Sequence, residues 1–161
     1  MKRFTVIVAV IAALVIGAIP AFAGNSRTFG THLSGDQEVP AVDTDAQGQA
    51  IFKVAKDGES ISYKLIVANI DEVLMAHIHV APAGTNGGIV VWLYPDGPPP
   101  QLIPGRSDGV LAQGVITADD LVGALEGQGL EALIAEMEAG NTYVNVHTTT
   151  NGGGEVRGQI G

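Results

Sequence analysis

The chain has 161 residues, with 17 acidic against 8 basic side chains, 22 glycines, 8 prolines and no cysteine. This length suits one domain, and a chain of that size buries enough surface to fold without a disulfide or a structural metal. The lack of cysteine excludes iron–sulfur clusters, thiol catalysis, cysteine-ligated zinc and lipid attachment through an N-terminal cysteine.

The first 23 residues have the pattern of a secretory signal peptide. A basic start lies at 1–3, an apolar run covers 4–19, and residues 20–23 end in a small-x-small pattern. We expect cleavage before Gly24, which separates a signal peptide over 1–23 from a mature domain over 24–161. The alternative is an uncleaved membrane anchor, because about 20 apolar residues span a bilayer. Both interpretations place the domain outside the cytoplasm: secreted, periplasmic or at the cell surface.

The mature domain is strongly acidic. Removal of Lys2 and Arg3 leaves six of the 8 basic residues against all 17 acidic ones. This excess of negative charge repels nucleic-acid phosphates and anionic lipid headgroups. We therefore expect no binding to nucleic acid, and no contact with a membrane beyond the signal segment.

Short runs of alternating apolar and polar residues fill most of the mature chain, separated by Gly, Asp, Asn and Pro. This period of two predicts an all-β fold, a Greek-key-like antiparallel β-sandwich of about eight strands. The strands are predicted at 27–33, 48–54, 60–67, 73–80, 89–93, 109–116, 142–148 and 155–160. Asp57 and Gly58 separate the second strand from the third, and glycine suits a tight hairpin turn, so these two strands are expected to pair.

Two segments interrupt the strands. Thr117 stands three residues before Asp120, as at a capped helix start, and leucines follow at helical spacing. One or two short helices are therefore predicted within 118–138, ended by Gly140. Residues 94–108 contain five prolines, which exclude a central strand and predict a long surface loop.

The histidines are the residues most able to carry chemistry. Alternation along the strand at 73–80 puts His77 and His79 on one face and Ile78 on the other. The strands at 142–148 and 155–160 also have a polar set at odd positions. If the three strands are neighbours, their polar faces bring together His77, His79, Tyr143, Asn145, His147, Glu155 and Arg157.

Two interpretations of this polar face remain open. In the first, His77, His79 and His147 provide three neutral nitrogen ligands for copper or zinc, and Glu155 is a fourth ligand or supports one. In the second, the imidazoles belong to a structural polar network, and no metal binds. That network comprises Tyr143, Asn145, Glu38 and Arg157 together with the three histidines. The remaining histidine, His32, is expected on the surface.

Other residues also allow two interpretations. Glu38 is either a solvated carboxylate at the end of an edge strand, or a partner of Arg157 or a ligand near the histidines. Trp92 and Tyr94 either cap the sandwich or form an exposed aromatic patch for a partner protein.

Four segments together resemble the CHRD domain family, named for chordin. They are LSGDQEVP at 33–40, AHIH at 76–79, YVNVHT at 143–148 and GEVRGQ at 154–159, in the family's order and spacing. The resemblance covers about residues 29–160. It implies an extracellular β-sandwich module, found in chordin as part of an extracellular antagonist of growth factors and in many microbes as a single secreted domain.

The resemblance does not imply an enzyme, so the expected function is that of a secreted binding module, for an extracellular protein or a metal ion. The alternatives are a metal-dependent redox or hydrolytic enzyme outside the cytoplasm, and an adhesion or scaffold domain without metal. A His-x-His strand in a β-sandwich is also similar to the copper-binding strand of copper/zinc superoxide dismutase. That similarity is one of fold and motif, and the disulfide cysteines of that enzyme are missing here.

Overall fold

The computed structural model describes residues 27–161, so the predicted signal peptide and its cleavage site lie outside the described residues. The strands are β1 (Thr28–Ser34), β2 (Gln47–Val54), β3 (Ile61–Val80), β4 (Gly88–Tyr94), β5 (Ile103–Ile116), β6 (Thr142–Thr148) and β7 (Val156–Gln159). One α-helix, α1 (Leu130–Glu138), and short 3-10 turns at Gly35–Gln37, Ala118–Asp120 and Gly123–Leu125 complete the fold. The predicted all-β antiparallel fold is confirmed, with seven strands in one sheet in place of about eight strands.

The difference in number comes from β3, a single strand of 20 residues that covers both the third and the fourth predicted strands. Between its halves, Asn69 and Glu72 adopt φ angles of 58° and 54°, and the pairing with β5 shifts register there. Positive φ is uncommon outside glycine and breaks the straight course of a strand. The sequence showed this break as a gap between two strands, whereas the chain continues through it.

The break in β3 lets one strand serve both halves of the sheet. Its first half pairs with β2 and β5, and its second half pairs with β6 and β4. The remaining strands follow the order β2, β1, β7, β6, so the pairings return from β2 to the second half of β3. The predicted pairing of the strands on either side of Asp57 and Gly58 is confirmed.

The core lies on the inner side of this sheet and follows the period of two. Ala76 and Ile78 of β3 pack with Val144 and Val146 of β6 and with Val156 of β7, all fully buried. The helix α1 closes the core with Leu133 and Met137 on its inner side. The polar residues that alternate with these positions therefore lie on the opposite side of the same strands.

The two interrupting segments were predicted with different success. The segment 118–138 contains α1 and two 3-10 turns, and Gly140 follows with φ 69°, as predicted. The loop predicted over 94–108 is too long, because β5 begins at Ile103. Among the described strands it pairs only with β3, so Pro104 stands near the start of an edge strand, where a missing N–H is tolerated. Within the part of the chain that the structure describes, no helix has the length and apolar character needed to cross a membrane.

Candidate metal centre

The polar residues of β3, β6 and β7 form one continuous face, as predicted from their alternation. The strands are neighbours in the order β7, β6, β3. Across the three strands, His77 pairs with Asn145, and Asn145 pairs with Arg157. Two residues further along β3, His79 pairs with Tyr143. His147 follows Asn145 on the same side of β6. The side chains are almost completely buried, with 0% of His77 and 1% of Arg157 exposed.

Two loops cover this face and explain its burial. Nδ1 of His79 lies 2.9 Å from the carbonyl oxygen of Gly87, and the N–H of Gly87 donates to the Tyr143 hydroxyl over 3.1 Å. On the other side, Nδ1 of His147 lies 3.1 Å from the carbonyl oxygen of Gly152. The loops around Gly87 and Gly152 thus hold the imidazole rings through backbone carbonyls.

The three histidines converge. Each offers a nitrogen atom, and these three atoms lie within 4.8 Å of one another. Nδ1 of His77 and Nε2 of His147 are 3.2 Å apart. Two nitrogen ligands of one ion at bonds of about 2 Å stand no more than about 4 Å apart, so one ring must move inward by a small amount to complete a site.

The hydrogen bonds fix the tautomers of the rings. A carbonyl oxygen can only accept, so His79 and His147 carry their proton on Nδ1, and their Nε2 atoms carry lone pairs. Nε2 of His147 therefore accepts from the Nδ1–H of His77, which leaves the lone pair of His77 on its Nε2. All three Nε2 atoms are lone-pair donors for a metal. Those of His77 and His79 have no hydrogen-bond partner among residues 27–161.

Burial keeps the rings neutral. Desolvation, reinforced by the neighbouring imidazoles, lowers the pKa of His77 to about 3. Desolvation also lowers the pKa of His147 to about 4 and the pKa of His79 from its ordinary value. A neutral imidazole is the form that ligates a transition metal, so at neutral pH no proton has to be removed from the cluster before an ion binds.

Aromatic rings surround the cluster and hold it in place. Trp92 of β4 meets His77 edge to face, with ring centroids 4.3 Å apart. Tyr143 stacks in parallel on His79 at 4.8 Å, and the guanidinium of Arg157 lies 3.4 Å from the centre of the same Tyr143 ring. Trp92 and Tyr94 are half-buried, and Tyr94 packs against the core. The described positions of both rings favour packing over an exposed patch.

Glu38 is buried, so the interpretation as a solvated carboxylate is wrong. Only 6% of the residue is exposed, and its Oε1 atom has no hydrogen-bond partner in the part of the chain that the structure describes. Desolvation raises its pKa to about 7, against the opposing effect of the nearby positive charge of Arg157. Gly154, with φ 126°, makes room for the carboxyl group, because a Cβ atom there would collide with Glu38 and with Asn145.

Glu155 lies outside the cluster. Its two carboxylate oxygens accept hydrogen bonds from the hydroxyls of Thr44, over 2.8 Å, and Thr148, over 2.7 Å. The strand β7 begins one residue later than predicted, so strand alternation does not govern the direction of this side chain. His32 is exposed on β1, as expected.

The arrangement combines three buried, neutral imidazoles with no thiolate. Such a donor set suits Zn²⁺ and Cu²⁺. The carbonyls of Gly87 and Gly152 hold two of the rings by their Nδ1–H groups, which is the support that metal-ligating histidines commonly have in proteins.

A sequence model of the CHRD domain matches residues 29–160. The chain belongs to the CHRD domain family. The match covers nearly all of the described residues and includes every residue of the histidine cluster, which confirms the resemblance found in the sequence. No curated protein and no solved structure matched the chain.

Sequence reasoning found the three histidines of this CHRD domain but missed part of their surroundings. The contact of Trp92 with His77 depends on the register of β3 against β4, which shifts twice between Ala76 and His79. A connection of seven residues joins these strands, so no tight turn could indicate that register. The sequence reading also missed the role of Gly154, although three consecutive glycines before Glu155 indicate a place where other groups can approach the backbone closely.

Proposed function

We propose that this CHRD domain is an extracytoplasmic metal-binding module whose ion, copper or zinc, is held by His77, His79 and His147. The observation that carries the proposal is the pair of buried Nε2 atoms on His77 and His79 that lack a partner among the described residues, in a cluster where each of the three histidines has a nitrogen within 4.8 Å of the others. A buried polar atom without a hydrogen bond costs free energy, and native proteins avoid it. A metal ion bound to the cluster satisfies these two lone pairs at once.

The alternative, a structural polar network without metal, explains less. It accounts for the contacts of the rings with Gly87 and Gly152 and for the stack of Arg157, Tyr143 and His79. It leaves the Nε2 atoms of His77 and His79 unused. No observation among the described residues favours an adhesion surface at Trp92 and Tyr94, since both rings serve packing.

Elemental analysis tests the proposal. Protein purified without chelator, or reconstituted with Cu²⁺ or Zn²⁺ and then desalted, is compared with a His77→Ala/His79→Ala variant and with His32→Ala as a matched control. We expect close to one ion per chain in the wild type and in the control, and almost none in the double variant. Equal metal content in all three proteins, each shown to be folded by circular dichroism, would contradict the proposal.

The location outside the cytoplasm follows from residues 1–23. Their basic start, apolar run and small-x-small ending support export and cleavage before Gly24. Mass spectrometry of the protein recovered from its native cells tests this. A mature chain that begins at Gly24 in the medium or the periplasm is expected, and a full-length chain in the cytoplasm would contradict it.

A further inference from the structure

Four buried acceptor atoms on the histidines and the side chains next to them have no partner among the described residues. They are Nε2 of His77, Nε2 of His79, Oδ1 of Asn145 and Oε1 of Glu38. The proposed metal ion accounts for the two nitrogens only. Two oxygens therefore remain, and both belong to residues that are more than nine-tenths buried, with 3% of Asn145 and 6% of Glu38 exposed.

Asn145 lies beside the histidines, and Glu38 lies beside Asn145. Asn145 is the cross-strand partner of His77 and precedes His147 by two residues on the same face of β6. Glu38 reaches the same place from the chain after β1. Its carboxyl carbon and Nδ2 of Asn145 both lie 2.8 Å from the point that a Cβ atom on Gly154 would occupy. The carboxyl group and the amide are thus neighbours across the space that the glycine leaves free.

The chemistry of these atoms defines what would satisfy them. All four accept hydrogen bonds or bind cations, and the tautomers of His77 and His79 leave only lone pairs on their Nε2 atoms. A metal ion with one bound water supplies what is needed, because the ion takes the nitrogens and the water offers two O–H groups to the oxygens. Glu155, which could have been a fourth protein ligand, is occupied by Thr44 and Thr148.

We propose that the metal site has an open fourth position, in which a water molecule is held by hydrogen bonds to Glu38 and Asn145 and can be replaced by a small anion. This inference rests on the proposed function. Three protein ligands with an exchangeable fourth ligand are typical of catalytic metal sites, whereas structural sites use four protein ligands. The ligand class of the site is therefore water, hydroxide and small anions such as azide.

Cobalt(II) and azide test the open position. Co²⁺ takes the place of zinc and has visible absorption bands that change when a ligand is exchanged. Wild type, Glu38→Gln and, as a matched control, Glu155→Gln are loaded with Co²⁺ and titrated with azide. We expect azide to change the visible spectrum of Co²⁺ in the wild type until the site is saturated. The titrations are done at pH 8, above the pKa of Glu38, so that its carboxyl group is ionised. Loss of this charged acceptor frees the water and removes repulsion of the anion, so the variant should bind azide roughly tenfold more tightly. The control should equal the wild type.

The outcomes separate the two proposals. If Co²⁺ binds but azide leaves the wild-type spectrum unchanged, the site is closed and this inference is wrong, while the metal site stands. The same conclusion follows if Glu38→Gln and wild type bind azide with equal affinity. If the wild type binds no Co²⁺ at all, the proposed function fails and the inference fails with it.

Discussion

Nδ1 of His77 lies 3.2 Å from Nε2 of His147, a separation that fits an N–H···N hydrogen bond to the lone pair with which His147 would bind a metal ion. A proton and a metal ion therefore compete for the same lone pair on His147. Binding of the ion has to break this hydrogen bond and reposition the ring of His77. A spectroscopic signal from any group in contact with the ring of His77 should therefore change when the ion binds.

Trp92 is such a group, and it is the only tryptophan of the chain. Its ring centroid lies 4.3 Å from that of His77, so a Cu²⁺ ion on His77 is close enough to quench the indole emission strongly. We expect fluorescence to fall with each addition of Cu²⁺ until one equivalent is bound, and to return when a chelator is added. Zn²⁺, whose d shell is filled, should not quench. Quenching that persists in His77→Ala/His79→Ala would show that copper binds elsewhere.

The lowered pKa values of the histidines predict acid sensitivity of the metal-free protein. His77 and His147 have pKa values of about 3 and 4 in the fold, against an ordinary value of 6.5. As pH falls below 6.5, these histidines become protonated in the unfolded chain but stay neutral in the folded chain. The free energy of unfolding therefore decreases until the pH reaches their pKa values in the fold. The loss is about 1 kcal/mol per pH unit for each histidine.

Urea unfolding of wild type and His147→Gln between pH 7 and pH 4.5 checks this acid sensitivity. The variant has one histidine fewer to protonate in its unfolded state, so its stability should fall less steeply than that of the wild type. Loss of the neighbouring imidazole also weakens the lowering of the pKa of His77, which reduces the slope of the variant further. Parallel curves for the two proteins would show that His147 is not held neutral by the fold.

For Glu38, we expect stability to change with pH in the direction opposite to that expected for the histidines. Its pKa is about 7 in the fold against 4.5 as a model value, so between these pH values the folded chain keeps a proton that the unfolded chain has lost. Stability from this group is greatest at low pH and declines as pH rises to about 7. Glu38→Gln removes the decline and should gain on the order of 2 kcal/mol over the wild type between pH 4.5 and pH 8. A difference that does not change with pH would contradict the raised pKa.

A side chain at Gly154 should destabilise the fold. Its φ of 126° is rarely adopted by other residues, and a Cβ atom there would overlap the carboxyl group of Glu38 and the amide of Asn145. Gly154→Ala should therefore cost about 2–4 kcal/mol of stability. Gly152→Ala is the matched control, because no atom lies within 4 Å of its Cβ position, and it should change stability by less than about 1 kcal/mol. Thermal or urea unfolding of both variants measures the difference, and equal values would refute this role of Gly154.

The sequence could predict the face on which the histidines lie, because strand alternation is a local property. His77 and His79 had to share a side with Ile78 opposite, and the same rule placed Asn145 and His147 together. It could not predict how far that rule extends. Glu155 does not follow the alternation, because β7 begins at Val156. The two strands predicted at 60–67 and 73–80 form one strand, because the chain continues between them through Asn69 and Glu72 at positive φ.

Burial of the polar face was the second feature that alternation could not supply. A strand pattern distinguishes an inner face from an outer face, but loops that fold back over the outer face are contacts distant in sequence. The covering residues around Gly87 and Gly152 turn a polar surface into an enclosed site. Glu38 is buried as well, although its position after β1 was also compatible with a solvated carboxylate.

X-ray absorption spectroscopy of the metal-loaded protein examines the three-histidine site most directly, because it counts the atoms bonded to the ion. With copper or zinc bound, three imidazole ligands at about 2.0 Å are expected, together with one oxygen. The His77→Ala/His79→Ala variant, loaded in the same way, should lose the imidazole signal. A wild-type spectrum with oxygen ligands alone, or one that the double variant reproduces, would show that the three rings do not form a metal site.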